Sequence, residues 1–132
     1  MPTTYPIRRP QAVVDFPAQL PAPAVTAMRT RTLADRIAES GICAGSFSDR
    51  WDDPGERTRQ ASQAEQARAA CAGCPVVQEC LEDALRIESG RRTCLSGIRG
   101  ALAPWERRDL LKRRDALAAQ AAAEPELAEV AS

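Results

Sequence analysis

Four cysteines constrain this chain most strongly, because their spacing is that of ligands to one metal centre. A C-x2-C-x5-C run contains Cys71, Cys74 and Cys80, and Cys43 lies upstream across a long polar stretch. Two cysteines separated by two residues can chelate one centre through a short turn, and thiolates suit zinc or an iron–sulfur cluster. The chain contains no histidine, which excludes a mixed Cys/His zinc finger. Spacing alone leaves zinc and iron–sulfur open.

Two alternatives for these cysteines follow from the sequence. Cys94 is a possible fourth ligand, since it lies closer in sequence to Cys80 than Cys43 does, although a free cysteine is commonly a small buried residue. Cys71 and Cys74 also form a CxxC pair, which is a redox couple in thioredoxin-like proteins, but no strand pattern precedes it. A thiol-disulfide oxidoreductase is therefore an alternative function, and a zinc-stabilised interaction module is a third.

The composition is that of one small domain with tails. The chain has 132 residues and a formal net charge of zero, which argues against nucleic-acid binding driven by total charge. No segment is apolar for the roughly 20 residues that a membrane span requires, and no signal-peptide core follows the basic start. We therefore expect a cytoplasmic protein with no membrane partner. In this compartment clustered cysteines bind metal more often than they form structural disulfides.

The residue pattern predicts an all-α fold, a small bundle of about four helices around the metal centre. Frequent prolines and few apolar residues predict a disordered N-terminal segment over 1–24. The folded domain is expected over 25–116. It is followed by an Ala/Glu-rich tail over 117–132, which either extends the last helix or frays and which Pro125 interrupts. Helices are predicted over 26–40, 56–70, 75–89 and 104–117.

The residues around the CxxC pair suit an anionic centre. Pro75 is expected in the first turn of the third helix, where its missing N–H is not needed. That helix would direct free backbone N–H groups at the Cys71–Cys74 turn, and Gly73 allows an unusual backbone angle between the two ligands. The turn over 97–100 carries two glycines and can approach the centre or a partner closely. Val76, Val77 and Leu81 are expected to form part of an apolar wall around the metal centre.

Four motifs occur together between Cys43 and Arg114. They are a single cysteine before an acidic, aromatic loop, the run CAGCPVVQECL, the glycine turn GIRGA, and an E-R-R element with a basic helix, PWERRDLLKRR. Together they resemble the WhiB-like family of iron–sulfur transcriptional regulators from actinobacteria and their phages. The turn departs from the family pattern, with Arg99 where Trp is usual and Ala101 where the last glycine is usual. The acidic tail also lacks the family's basic DNA-binding extension.

The resemblance implies both a cofactor and a function. It implies a transcriptional regulator that binds the C-terminal domain of the principal sigma factor of RNA polymerase, with a cluster that responds to redox state or nitric oxide. An enzyme is not expected, because no nucleophile–base pair or phosphate loop is visible and histidine, the usual general base, is absent. By this resemblance a 4Fe-4S cluster is held by Cys43, Cys71, Cys74 and Cys80.

The resemblance also suggests partner contacts, each with a simpler structural interpretation. The tryptophans are equally compatible with an ordinary core, and the basic residues with a solvated helix face. With a sigma factor supplying promoter affinity, a modest basic patch would suffice for DNA contact. Expected sigma-factor contacts are Trp51, Gly97, Ile98, Arg99, Gly100 and Trp105. Expected DNA contacts are Arg107, Arg108, Lys112, Arg113 and Arg114.

Overall fold

The computed structural model describes residues 18–43, 51, 60–91 and 95–131. Over these residues the chain is helical, as predicted, and the single backbone bridge lies within a turn. Four helices correspond to the predicted ones and a further helix is a single turn; residues 56–59 of the second predicted helix lie outside the described residues. The helices are α1 (Pro23–Thr26), α2 (Thr30–Ser40), α3 (Gln60–Ala70), α4 (Val77–Glu88) and α5 (Pro104–Ala131).

The N-terminal part of the described structure packs against the rest of the fold. Residues 1–17 of the predicted disordered segment, 1–24, lie outside the described residues. Beyond that point Ala18 and Leu20 pack against the main core. α1 begins at Pro23, since a proline in a first helical turn has no backbone hydrogen bond to lose.

Two helices begin later than predicted. α2 starts at Thr30 rather than at residue 26, because Arg29 is extended with φ −70° and ψ 149°. α4 starts at Val77, so Pro75 lies in the preceding turn and not in the first turn of the helix. The fixed φ of proline suits a turn as well as a helix start, and the sequence does not distinguish the two.

α5 extends through the tail, one of the two outcomes expected there, and includes Pro125, where the sequence predicted an interruption. That prediction was wrong because the alanine- and glutamate-rich sequence on both sides of the proline has a strong helix propensity. The side chains over 115–123 are exposed, so this part of the helix adds nothing to the core.

The main core lies between α4, α5 and the N-terminal segment. It contains Leu81 and Leu85 from α4, Leu110 from α5, and Leu102 from the connection between the two helices. Leu81 therefore belongs to the main core rather than to a wall of the metal site. Burial of each such leucine contributes about 1.5–3 kcal/mol, which makes this core the main apolar contribution to stability.

A second apolar cluster is smaller and lies beside the cysteines. It is formed by Ala67 and Ala70 at the end of α3, together with Ile98 of the glycine turn. Trp51 and Cys71 pack against it. The small alanine side chains let the turn approach the end of α3 closely, and this brings the glycine turn to the segment that carries the first CxxC cysteine.

Candidate metal centre

A tight turn at the end of α3 brings Cys71 and Cys74 together. The Cys71 N–H still donates a helical hydrogen bond to the Ala67 oxygen at 3.3 Å, and the Cys74 N–H donates to the Cys71 oxygen at 3.1 Å. Gly73 lies inside this turn with a φ of 80°, in the left-handed region that other residues rarely adopt. Both the turn and the unusual backbone angle predicted for Gly73 are confirmed.

Cys80 lies at the start of α4. It is the fourth residue of the helix, and its N–H donates to the Val76 oxygen at 2.9 Å. α4 begins three residues after Cys74, so the first backbone N–H groups of the helix follow the CxxC turn directly. A helix N-terminus favours negative charge, and thiolates supply negative charge.

The structure brings all four predicted ligands to the lining of one cavity. Gly41 caps α2, and Cys43 follows in a turn where it is exposed, whereas the three CxxCx5C cysteines are partly buried. Cys94 lies outside the described residues. The cavity is otherwise lined by Ile37, Gly41, Ile42, Trp51, Val76, Val77, Ile98 and Gly100.

The glycine turn closes against α4 at very short range. Two backbone hydrogen bonds of 3.1 Å between Arg99 and Leu102 form the turn. A Cβ at Gly100 would lie 2.5 Å from the Leu81 Cβ and 2.6 Å from its Cα, so a side chain there would displace α4. The next residue, Ala101, has a φ of 62°, a conformation that costs a residue other than glycine about 1–2 kcal/mol.

The thiol of Cys80 is electrostatically perturbed by its surroundings. Burial raises the pKa of this thiol to about 11, and a hydrogen bond from the Gly100 N–H opposes the rise. Negative charge on Cys43 and Cys71 raises this pKa further, whereas the Arg99 guanidinium lowers it. The thiol is therefore protonated at neutral pH in the metal-free protein, and a metal has to displace that proton on binding.

Arg107 fixes the segment that carries the glycine turn. Its side chain is fully buried, and Nε donates to both carboxylate oxygens of Glu88 at 3.1 and 3.0 Å. Nη1 donates to the Gly97 and Leu102 oxygens at 3.1 and 2.8 Å, and Nη2 donates to the Leu95 oxygen at 2.7 Å. One guanidinium thus joins the end of α4, the first turn of α5 and the turn between them.

Arg68 holds the same turn from α3. It donates two hydrogen bonds, of 2.8 and 2.7 Å, to the Glu106 carboxylate, and a third of 2.8 Å to the Ala101 oxygen. Glu106 also accepts the Ala103 N–H at 3.1 Å, which caps the first turn of α5. Arg68 lies three residues before Cys71, so the pair connects the CxxC segment to the turn. Sequence reasoning missed both ion pairs, because partners 19 and 38 positions apart leave no periodic signal.

Among the described residues, no three or more Cys, Asp or Glu side chains lie close enough together to hold a single metal ion.

Residues 38–110 match a family model described as transcription factor WhiB. This match covers more than half of the 132 residues. The chain belongs to the WhiB family of transcription factors. The resemblance inferred from the motifs is confirmed, and the WhiB match spans all four predicted ligands and the glycine turn. Comparisons with curated proteins and with solved structures give no match. No helix in the described part of the chain could cross a membrane.

Trp51, an expected sigma-factor contact of this WhiB protein, also packs against the apolar cluster beside Cys71. Its Nε1 donates to the Ala70 oxygen at 3.1 Å, and its backbone oxygen accepts the Ile98 N–H at 2.7 Å. A Cβ at Gly97 would lie 2.8 Å from the same Trp51 oxygen, so glycine is required for this approach. The tryptophan therefore joins α3 to the glycine turn, and its contact with a partner stays a prediction.

The other expected sigma-factor contacts differ in exposure. Ile98 and Gly100 are buried, whereas Arg99 is exposed between them. Trp105 is half-buried in the first turn of α5, and its Nε1 is buried with no hydrogen-bond partner among the described residues. Arg99 is therefore the exposed side chain at the tip of the turn in this WhiB-family chain.

The predicted DNA contact of Arg107 is wrong. Its side chain is 0% exposed and its Nε lies 3.0 Å from the Glu88 carboxylate, so it cannot reach a phosphate. A basic run on a helix predicts a solvent-facing surface, but the first turn of this helix faces the core and its arginine is enclosed there. Arg108, the next residue, is exposed.

The remaining basic residues of α5 occupy different environments. Arg114 is partly buried, and its Nη1 lies 2.7 Å from a carboxylate oxygen of Glu82. Arg113 is exposed and donates a hydrogen bond to the Ala18 oxygen. Lys112 is exposed. The surface that α5 can offer to DNA is therefore smaller than the sequence predicted.

Proposed function

We propose that this WhiB-family protein is a transcriptional regulator that carries a 4Fe-4S cluster and binds the C-terminal domain of the principal sigma factor. The observation that supports the proposal best is that four thiols, from three separate parts of the chain, line one largely apolar cavity. The proposed ligands are Cys43, Cys71, Cys74 and Cys80.

Membership of the WhiB family favours an iron–sulfur cluster over zinc at these cysteines. Four thiols without histidine suit either centre by their chemistry alone. The hydrogen bond from the Gly100 N–H to the Cys80 sulfur is of the kind that tunes the potential of such centres. When bound, the cluster supplies reversible electron transfer and reactivity towards oxygen or nitric oxide.

The proposed ligands come from three separate helices or the segments that directly follow them. Cys43 follows α2, Cys71 and Cys74 follow α3, and Cys80 lies in α4. Because metal binding and folding are linked in small sites, loss of the centre would release three helices from one another. This gives a physical route from cluster chemistry to the surface that a sigma factor would contact.

Metal analysis of protein purified without oxygen tests the cofactor. We expect about four iron and four sulfide per chain, and less than half of that after replacing any one of the four proposed ligands with serine. Cys94→Ser is the matched control and should retain the full iron content. About one zinc per chain and no iron would support the zinc-stabilised module instead. If Cys94→Ser lost the iron while Cys43→Ser kept it, the ligand assignment would be overturned.

Co-purification with a sigma factor tests the partner. We expect the C-terminal domain of the host's principal sigma factor to co-elute with the cluster-loaded chain in gel filtration. Metal-free protein that instead catalysed repeated disulfide reduction through Cys71 and Cys74 would favour the oxidoreductase. Promoter binding by the complex should weaken with salt, and Arg108→Ala with Lys112→Ala should reduce that salt dependence. An unchanged salt dependence would exclude a DNA contact by these two residues.

A further inference from the structure

A wider cleft adjoins the cysteine cavity and places two opposite charges beside the proposed ligands. Its volume is about 650 Å³, and it shares Cys43 and Cys80 with the lining of the cavity. Among the described residues that line the cleft or the cavity, Arg99 is the one basic side chain and Asp83 is the one carboxylate. A negative charge on the shared sulfurs therefore has one cation and one anion beside it in the described lining.

Arg99 is carried by a turn that closes directly onto the ligand segment of α4. The next residue, Gly100, lies so close to α4 that a Cβ on it would be 2.6 Å from the Leu81 Cα, and its N–H donates to the Cys80 sulfur. Two backbone hydrogen bonds of 3.1 Å between Arg99 and Leu102 hold the turn in place. The base of the arginine side chain is therefore fixed one residue away from a group that contacts a proposed ligand.

The charge of Arg99 is not neutralised by the fold. Its guanidinium forms no ion pair with a carboxylate of the described residues, and the Asp83 carboxylate, three residues after Cys80 on α4, forms none with a described cation. Other arginines of the domain behave differently, since each lies within 3.4 Å of a glutamate oxygen. They are Arg36, Arg68, Arg86, Arg107 and Arg114.

A cluster held by four thiolates is sensitive to such a charge. Its common oxidised form carries a charge of about −2 with its ligands, and reduction by one electron makes this about −3. A neighbouring cation stabilises the more negative form more strongly, and a neighbouring carboxylate destabilises it more strongly. In the metal-free protein the Arg99 guanidinium already lowers the pKa of the Cys80 thiol against the larger effect of burial, so its field reaches this sulfur.

We propose that Arg99 raises the reduction potential of the cluster by placing an unpaired positive charge beside Cys43 and Cys80, and that Asp83 lowers it. This inference rests on the proposed function and gives the glycine turn a role in the electron chemistry of the centre. The step concerned adds one electron to the cluster, and no bond to a residue forms or breaks. Since Trp is usual in the family where this chain has Arg99, the effect belongs to this chain.

Anaerobic potentiometric titration of the cluster-loaded full chain tests the inference, with an electrode and mediators as the electron source. At a fixed potential Arg99→Gln should lower the ratio of reduced to oxidised cluster about threefold, which is a shift of about −28 mV at 59 mV per tenfold change. Arg99→Glu should lower the ratio further, Asp83→Asn should raise it, and high salt should shrink all three differences. Arg99→Lys keeps the charge and should retain most of the potential. Arg31→Glu is the control, because it reverses an exposed charge that lines neither the cleft nor the cavity.

The outcomes separate this inference from the proposed function. If the unaltered chain purified without oxygen holds no iron and sulfide, the proposed cofactor is wrong and the inference is overturned with it. If the cluster is present but Arg99→Gln and Asp83→Asn leave the potential where Arg31→Glu leaves it, the inference alone is overturned. An Arg99→Lys shift as large as that of Arg99→Gln would also overturn it, because shape and not charge would then be responsible. Iron and sulfide content show that each variant compared carries the same cluster; if Arg99→Glu fails to load, the two neutral variants decide the question.

Discussion

Replacing Arg107 with leucine is expected to destabilise the protein severely. The arginine donates five hydrogen bonds, two to Glu88 and three to backbone oxygens at Leu95, Gly97 and Leu102. Both side chains of the ion pair are almost completely buried. Leucine would leave the Glu88 carboxylate in the interior without a cation, and removing one partner of a buried pair costs about 3–5 kcal/mol. The free energy of unfolding of small domains is about 5–15 kcal/mol, so this cost would remove about a fifth of the stability or more.

Urea unfolding without oxygen, followed by far-UV circular dichroism, measures this cost. Arg108→Leu is the matched control, because it removes the same charge from the next residue, which is exposed, and should change stability by less than about 1 kcal/mol. Adding Glu88→Leu to Arg107→Leu should recover part of the loss, since no buried charge is then unpaired. A single-variant cost below about 1 kcal/mol, or equal to that of the control, would refute the role assigned to Arg107.

Four further changes test the turn, the surface and the centre. Ala101→Gly should raise the free energy of unfolding by about 1 kcal/mol, because it relieves a left-handed conformation; a lower value in urea unfolding would contradict this. Gly100→Ala should lower it by about 2–5 kcal/mol through contact with Leu81, and unchanged stability would show that the turn can move away. Arg114→Ala should cost no more than about 1 kcal/mol, because its pair with Glu82 is partly exposed; a larger loss in the same assay would mean that this pair is essential to the fold. Complete removal of metal should reduce helicity measured by circular dichroism, and equal helicity and melting temperature would show that the centre does not support the fold.

Local features of the site were predictable because they depend on neighbouring residues. The Cys71–Cys74 turn and the left-handed Gly73 follow from a four-residue pattern, and Pro104 marks the start of α5 correctly. The helix boundaries at Thr30 and Val77 were predicted too early, since propensities change little across a helix end.

Long-range features were not predictable. The charged sequence of the first turn of α5 predicts an exposed surface, yet Glu106 and Arg107 face inward and hold the glycine turn. Charged residues are usually exposed unless a partner is present, and sequence does not show where that partner lies. Arg68 and Glu88 come from other helices, so their pairing appears only after those helices pack.

The sequence alone determines the helical class, the WhiB motifs and a set of thiols suited to one metal centre, because each depends on residues that lie a short distance apart along the chain. Tertiary packing decided which charges became structural. It enclosed Arg107 with the Glu88 carboxylate, whereas Asp83 and Arg99 line an open cleft beside Cys80. The physical reason is that burial penalises an unpaired charge, so a charge that the fold encloses needs a partner from elsewhere in the chain.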